Sequence, residues 1–314
     1  MRKIALLSVL ILAVQMAAAQ EETGITSSRE LVLLVSSLPE AKLEYTHRYV
    51  FPFLQGNNPL TEGNNITLNL SADLTPISYN KIVNAVWTPV AFLELSAGGR
   101  IGFGWNIELG GNHIRGIGLN LPDDGGGQNA VYDGRAFDAL LWKTFFGAAF
   151  QFSMAAIFPG DWNHVVFRTY HEINYHGNTR ARAGQAWYFE GGDGENMNGF
   201  NYYGNFLIGY QMPIFLNMVA FFAEMEMYLY DTPGRSVWGD DLIRWTFSCL
   251  LDFKITEQLG IALIAQWRTR RNFTNFDERT DDFDSVHFTN RILDTSNPRS
   301  LRFYRIAAAL TFRF

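Results

Sequence analysis

Cysteine is almost absent from this chain. Cys249 is the only one, so no internal disulfide framework can hold the fold together. Beyond the first residues there is no apolar run near the ~20 residues that a membrane-spanning helix needs. Basic residues are in deficit: 25 Lys and Arg stand against 31 Asp and Glu, which argues against nucleic acid as a partner. No GxSxG string occurs, and no Ser lies at an evident spacing from a His, so the sequence offers no nucleophilic triad.

The chain opens with MRKIALLSVLILAVQMAAAQ: two cations at Arg2 and Lys3, an apolar stretch from Ile4 to Val14, then Ala17, Ala18 and Ala19. This is the pattern of a cleavable secretory signal, with cutting expected after Ala19. The apolar stretch is too short to span a membrane, and no cysteine follows the cut to carry a lipid. Residues 1–19 are therefore expected to be removed.

Aromatic residues make up 15% of the chain and glycines number 28. The aromatics do not cluster as in a soluble core. They recur in alternation along many segments, which is what a barrel in lipid requires: an apolar outer face on every strand, with aromatic girdles at both interfaces. The last segment is the clearest. In RSLRFYRIAAALTFRF the even positions Tyr304, Ile306, Ala308, Leu310, Phe312 and Phe314 are apolar, while Arg305, Thr311 and Arg313 fall on the odd face and Arg302 near the rim. Period two with one apolar face predicts a strand whose outer side meets lipid. A terminal aromatic such as Phe314 resembles the signal that outer-membrane barrel assembly machinery reads. Three further segments obey the same rule: 202–212, 219–229 and 243–267, the last broken only by the connection Ile255 to Gln258.

Connections alternate as well. Short ones occur at Pro159–Asn163, Met212–Asn217 and Ile255–Gln258, whereas 108–135, 177–199 and 273–299 are long and rich in Gly, Asn and Asp. Short periplasmic turns and long outward loops produce that rhythm, and with the last strand descending inward every long loop lands outside. Strands are predicted near 41–54, 64–88, 91–107, 136–157, 162–177, 199–213, 217–231, 241–255, 259–273 and 299–314. Ten strands follow, with residues 20–40 as a periplasmic segment and 41–314 as one transmembrane antiparallel up-and-down β-barrel. The second strand is awkward. Its apolar positions are even from Ile66 to Leu74 and odd from Ile77 to Trp87, which a β-bulge beside Pro76 would produce. A true turn at Thr75-Pro76, joined by an extra strand from Leu31 to Ser37, makes twelve instead. Single-chain bacterial barrels have even strand numbers, so ten or twelve remain.

The stretch Leu38 to Ile107, above all TPVAFLELSAGG at Thr88–Gly99 and GFGWNI at Gly102–Ile107, resembles largely uncharacterised outer-membrane proteins of Treponema-type spirochaetes. The resemblance implies a barrel and an outer-membrane address. It carries over no catalytic or binding residue.

The inward face holds charge of both signs. Arg244, Arg268, Arg270, Arg302 and Arg305 lie on the last three strands, Glu224 and Glu226 on the strand before, and Glu94 and Arg100 on the third. An arginine wall facing carboxylates sets a transverse field that selects small polar solutes in an open pore. In a narrow barrel the same charges pair and fill the interior. Elsewhere, the loop strings at 191–199 and 275–285 concentrate hard oxygen donors without the spacing of a helix-loop-helix calcium site, and read as solvated loops. His164, Arg168 and Glu172 share one face of the fifth strand, with His171 on the other. Asp277–Asp284 and His287 share a loop, where they read as polar rim residues. Trp87, Trp105, Trp142, Trp162, Trp187, Trp238 and Trp267 read as girdle residues. No metal, cofactor or enzymatic activity is expected. The expected partners are outer-membrane lipid, the assembly machinery and ligands of the long loops; the expected roles are a porin-like conduit for small polar solutes or a surface-exposed interaction protein anchored by its barrel.

Overall fold

The structure is a computed structural model, which describes residues 24–38, 40–109, 111–121, 130–190, 196–229, 242–274, 277–279, 285–289 and 292–314. Twelve strands close into one barrel: β1 Thr26–Ser36, β2 Ala41–Pro52, β3 Asn65–Thr75, β4 Ser78–Val90, β5 Leu93–Gly104, β6 Leu141–Ser153, β7 His164–Asn178, β8 Gly199–Gln211, β9 Leu216–Tyr228, β10 Arg244–Lys254, β11 Leu259–Arg271 and β12 Arg299–Arg313. Each strand pairs antiparallel with the next, and β12 returns to β1, with Leu33 opposite Leu310. Over Glu30–Ser36 closure leaves no free sheet edge, the condition for a sheet that faces hydrocarbon, while Arg299–Arg305 of β12 run past β1 without a ladder partner on that side.

Ten strands is therefore not the count, and the alternative of twelve is the observed one. Both extra strands have a physical cause. Residues 26–36, expected in a periplasmic segment outside the barrel, form β1, because Leu31, Leu33 and Val35 alternate outward and supply the apolar face that pairs with β12. The parity slip at Pro76 marks a turn, not a bulge. Thr75 lies opposite Ser78 across a two-residue link, and the hydroxyls of the two share a 2.7 Å hydrogen bond.

The strands contain 11 to 15 residues, beyond the ~9–11 that cross a bilayer at a tilt. Large apolar side chains stand exposed all around the outer wall: Val35, Leu43, Val83, Ile101, Phe146, Ile173, Ile208, Phe221, Leu251, Leu263 and Ile306 among them. An apolar surface of this extent is covered by lipid in a barrel and would drive aggregation in water. Among the described residues the barrel holds no core of the kind that fills a soluble sandwich; the inner wall is lined mainly by Asn, Ser, Tyr and charged side chains.

The two rims differ. β1, β3, β5, β7, β9 and β11 end at one, and β2, β4, β6, β8, β10 and β12 end at the other, together with Phe314. The rhythm of short and long connections thus holds through the C-terminal half and fails in the N-terminal half, where 37–40 and 76–77 are tight turns on the long-loop rim.

Candidate functional site: the barrel lumen and its cap

The long loops fold over their rim of the barrel. Their short strands make a five-stranded sheet in the order 187–189, 117–121, 130–133, 285–289, 277–279, and Ile117, Leu119, Ala139, Leu141, Trp187 and Phe189 bury one another in a small apolar core. Trp187, expected at the membrane girdle, is only 4% exposed here. Its indole stacks edge-on against His176 and donates from Nε1 to Asn198 Oδ1 at 3.0 Å.

Below this core the chain turns into the lumen wall. Glu190 Oε1 accepts from Ser78 Oγ and from Asn80 Nδ2, both at 2.6 Å, and Asn80 Nδ2 also donates to Asp73 Oδ1 at 2.8 Å. Ser78 and Asn80 are 0% and 1% exposed, so this carboxylate completes a buried polar cluster that Thr75 and Asp73 begin. Glu190 sits at φ +56°, a left-handed conformation that costs a non-glycine residue on the order of 1 kcal/mol or more. Its hydrogen bonds, with its own N–H donated to Gly116 O at 3.0 Å, hold it there. The Arg100 guanidinium lies 5.5 Å over the Phe189 ring and 3.9 Å from the Glu190 carboxylate.

Beneath the cap runs a ring of polar side chains. Arg100, Lys143 and His176 are direct cross-strand partners on β5, β6 and β7, all on the inner face. Lys143 Nζ contacts Glu172 at 2.5 Å, and Glu172 also accepts from Tyr170 Oη at 2.8 Å and Asn174 Nδ2 at 3.0 Å. Gly147 makes this cluster possible: a Cβ there would come within 2.4 Å of Tyr170 Oη, so only glycine lets the phenol lie flat on β6. Across the lumen Arg244 pairs with Glu226 at 2.8 Å and covers the Tyr228 ring at 5.2 Å.

The basic wall sits on β11 and β12. A register shift opposes Gln266 to Arg305 and Trp267 to Phe303, which leaves Tyr304 without a cross-strand partner on β11 and points it inward beside Arg305. Tyr304, expected to face lipid, instead carries three guanidinium groups on its ring, those of Arg268, Arg305 and Arg270. Its Oη donates to Glu40, which Arg305 also meets, while Arg305 Nε donates to Gln266 Oε1 at 2.6 Å. Arg302, at the rim, donates to Ser300 Oγ and Asn272 Oδ1.

The carboxylates expected opposite this wall lie elsewhere. Glu94 pairs with Arg168 at 3.1 Å, two strands away along the sheet, and Glu224 accepts from Tyr203 Oη at 2.6 Å. Of the charges expected to meet β9, Arg244 pairs with Glu226, whereas the arginines of β11 and β12 form no ion pair with β9 among the described residues. Glu40, Lys143, Tyr203, Glu190 and Tyr304 are lumen residues that the sequence analysis does not single out. Lys143 and Tyr203 carry a usable signal, since they lie on the polar phase of their strands, whereas Glu190 lies in a loop whose path no periodicity encodes. Both acidic loop strings fall largely outside the described residues, as do Trp238, Asp281, Asp282 and Asp284. Phe314 sits at the seam: its N–H and C=O pair with Arg29 C=O and N–H, both at 3.0 Å.

Exposure of the lumen charges is uneven: half of the Glu226 side-chain surface is accessible and about a third of Arg168, Arg244 and Arg100, whereas Glu172 keeps 7% and Arg305 20%.

No family model matches the chain, and no curated protein matches it. Among solved structures, a bacterial polysaccharide outer membrane secretin aligns over 92% of this chain and 98% of its own at 9% identity and TM-score 0.34. The toluene transporter TodX of Pseudomonas putida aligns over 92% and 89% at 10% identity and TM-score 0.33. OmpT, an outer membrane protein of Vibrio cholerae, aligns over 92% and 99% at 6% identity and TM-score 0.32. At these scores the likeness carries nothing about what this chain binds or moves.

Proposed function

We propose that this chain is an outer-membrane barrel that conducts small polar solutes. The carrying observation is the bipolar lumen: side chains of both charge signs line the inner wall, several keep a third to a half of their surface accessible, and no apolar core fills the interior among the described residues of the barrel wall. Twelve strands make a barrel wider than the ~8 at which side chains fill the interior, and narrower than the 16 to 18 of open general channels. The long-loop rim faces outward in this reading. Solutes pass the folded cap, then the ring of Arg100, Lys143, Glu226 and Arg244 and the arginines grouped on Tyr304. No covalent chemistry is needed, and movement follows the concentration gradient.

Refolded protein in a planar bilayer tests the reading. Discrete conductance steps that scale with salt concentration support it. A folded barrel that produces no steps and admits no small solute into vesicles overturns it. One observation favours a second reading, a surface interaction protein: three long loops cooperate in a single capping sheet with its own core, a platform more ordered than a conduit needs.

A further inference from the structure

The ring beneath the cap encloses a cavity of about 210 Å³, lined by Arg100, Lys143 and His176 on one side and by Asn201, Glu226 and Arg244 on the other. Its composition is unbalanced: three permanent cations face it against one lining carboxylate. Two of the cations have close protein acceptors, Lys143 with Glu172 and Arg244 with Glu226. Arg100 does not. Its contacts are the face of Phe189 and a carboxylate 3.9 Å away, so its five donors have no hydrogen-bond partner at normal length among the described residues. Arg100 is moreover the direct cross-strand neighbour of Lys143, and like charges set directly opposite destabilise a sheet. Across the cavity, Asn201 is only 7% exposed and its Oδ1 has no partner among the described residues; the same holds for His176 Nε2, the third member of the cross-strand row. A fold that holds two adjacent cations on one void, one of them without a close acceptor, leaves donors that a solute could match.

We propose that this cavity is a binding site for a small carboxylate that also bears a hydroxyl or ammonium group. The carboxylate is held by Arg100 and Lys143, since a guanidinium offers paired donors in the geometry that a carboxylate accepts. The second group lies toward Glu226, which is paired with Arg244 but half open and so able to accept from a hydroxyl or an ammonium hydrogen. The volume admits a molecule of a few heavy atoms and no oligomer. A simple inorganic anion meets the cations but brings no donor to Glu226; a neutral sugar donates to Glu226 but brings no charge to Arg100, whose nearest carboxylate is 3.9 Å away. This assignment rests on the conduit reading by naming the solute class at its narrow ring, yet it is a statement about equilibrium binding and can be tested apart from conduction.

The test is calorimetric titration of the folded full-length barrel in detergent micelles with L-lactate, with lactamide, its uncharged isostere, and with chloride. Saturable binding of lactate, with lactamide weaker by about tenfold or more, is the expected result, since hydrogen bonds to a charged group are at stake. Arg100→Gln should weaken lactate by a similar factor, Arg100→Lys by less, and Arg313→Gln, at the opposite rim beside Glu30, should change nothing. Equal binding of lactate and lactamide, binding of chloride as tight as lactate, undiminished lactate binding by a folded Arg100→Gln protein, or no saturable binding by the folded wild type would each overturn the proposal. Conductance in the bilayer separates the two readings: a barrel that binds lactate but passes no current keeps the site and loses the conduit, and one that conducts without binding does the reverse.

Discussion

The guanidinium of Arg268 lies 3.9 Å from the centre of the Tyr304 ring, and those of Arg305 and Arg270 lie 5.1 and 5.9 Å from the same centre. One phenol thus screens three cations from one another while its hydroxyl donates to Glu40. Tyr304→Phe keeps the ring and loses the hydrogen bond, an expected cost of about 1 kcal/mol. Tyr304→Leu also removes the cation–π contacts and should cost about 1 to 2 kcal/mol more. Urea midpoints in lipid vesicles measure both. Equal midpoints for the two variants would mean that the ring merely fills space.

Neutralising the basic wall should alter selectivity and leave the barrel intact. Arg268 holds Thr246 Oγ1 and the Tyr304 ring, and Arg270 lies over the same ring; neither makes a direct ion pair with a carboxylate among the described residues. The double substitution to Gln is expected to shift the reversal potential toward cations in a planar bilayer, with an unfolding midpoint close to wild type. A loss of several kcal/mol in stability would instead show that these arginines are structural counterions.

Glu190 latches the cap to the lumen wall; on Glu190→Ala the Ser78 hydroxyl can turn to Thr75 Oγ1 and one Asn80 N–H keeps Asp73, but the other Asn80 N–H loses its acceptor. An unmatched buried donor costs about 1 to 3 kcal/mol. The cap should detach from the wall more often, so protease cleavage within 179–198 should speed up and unit conductance should rise. Unchanged cleavage and conductance would show that the apolar core around Trp187 and Phe189 holds the cap without the latch.

The facing of β10 and β11 has a direct test. Leu251 and Leu263 are exposed on the outer wall, and an arginine at the bilayer midplane there should cost about 2 to 4 kcal/mol. Arg270→Leu, on the inner face, should stay within about 0.5 kcal/mol of wild type. Folding yields in vesicles compare them, and equal impairment by Leu251→Arg and Arg270→Leu would reverse the inside and outside assignments.

Period two makes most of the barrel readable without coordinates. It places Ile208, Phe221, Leu251 and Leu263 outward and the β9 to β11 charges inward because a pleated strand leaves no third option. The same logic turns the parity change at Pro76 into two competing structures, and only strand pairing can choose between them, since a bulge and a turn shift parity alike. Tyr304 departs from its phase for a related reason: an extra residue opposite none rotates everything above it by half a period, so Leu301 and Phe303 face outward and Tyr304 inward. Pairings across the lumen are beyond the reach of periodicity, because Glu94 finds Arg168, and Arg100 meets Glu190, only once the curvature and loop path exist. Burial depends on neighbours in the same way. Ser248 lies on the inner face as its phase requires, yet it is 3% exposed because Gln266 donates across to it.

At the seam, Phe314 exchanges both backbone hydrogen bonds with Arg29, and Arg313 Nε donates to Glu30 across a sequence separation of 283 residues. The two ends of the folded chain are therefore neighbours joined by ordinary ladder geometry, and the join, at seven register pairs, is the shortest of the twelve. A few residues linking Phe314 to Gly24 would continue the sheet without bending it. Reopening the chain at the exposed Asn57-Asn58 link would then make β3 the first strand and β2 the last, the same cylinder read from a different starting point.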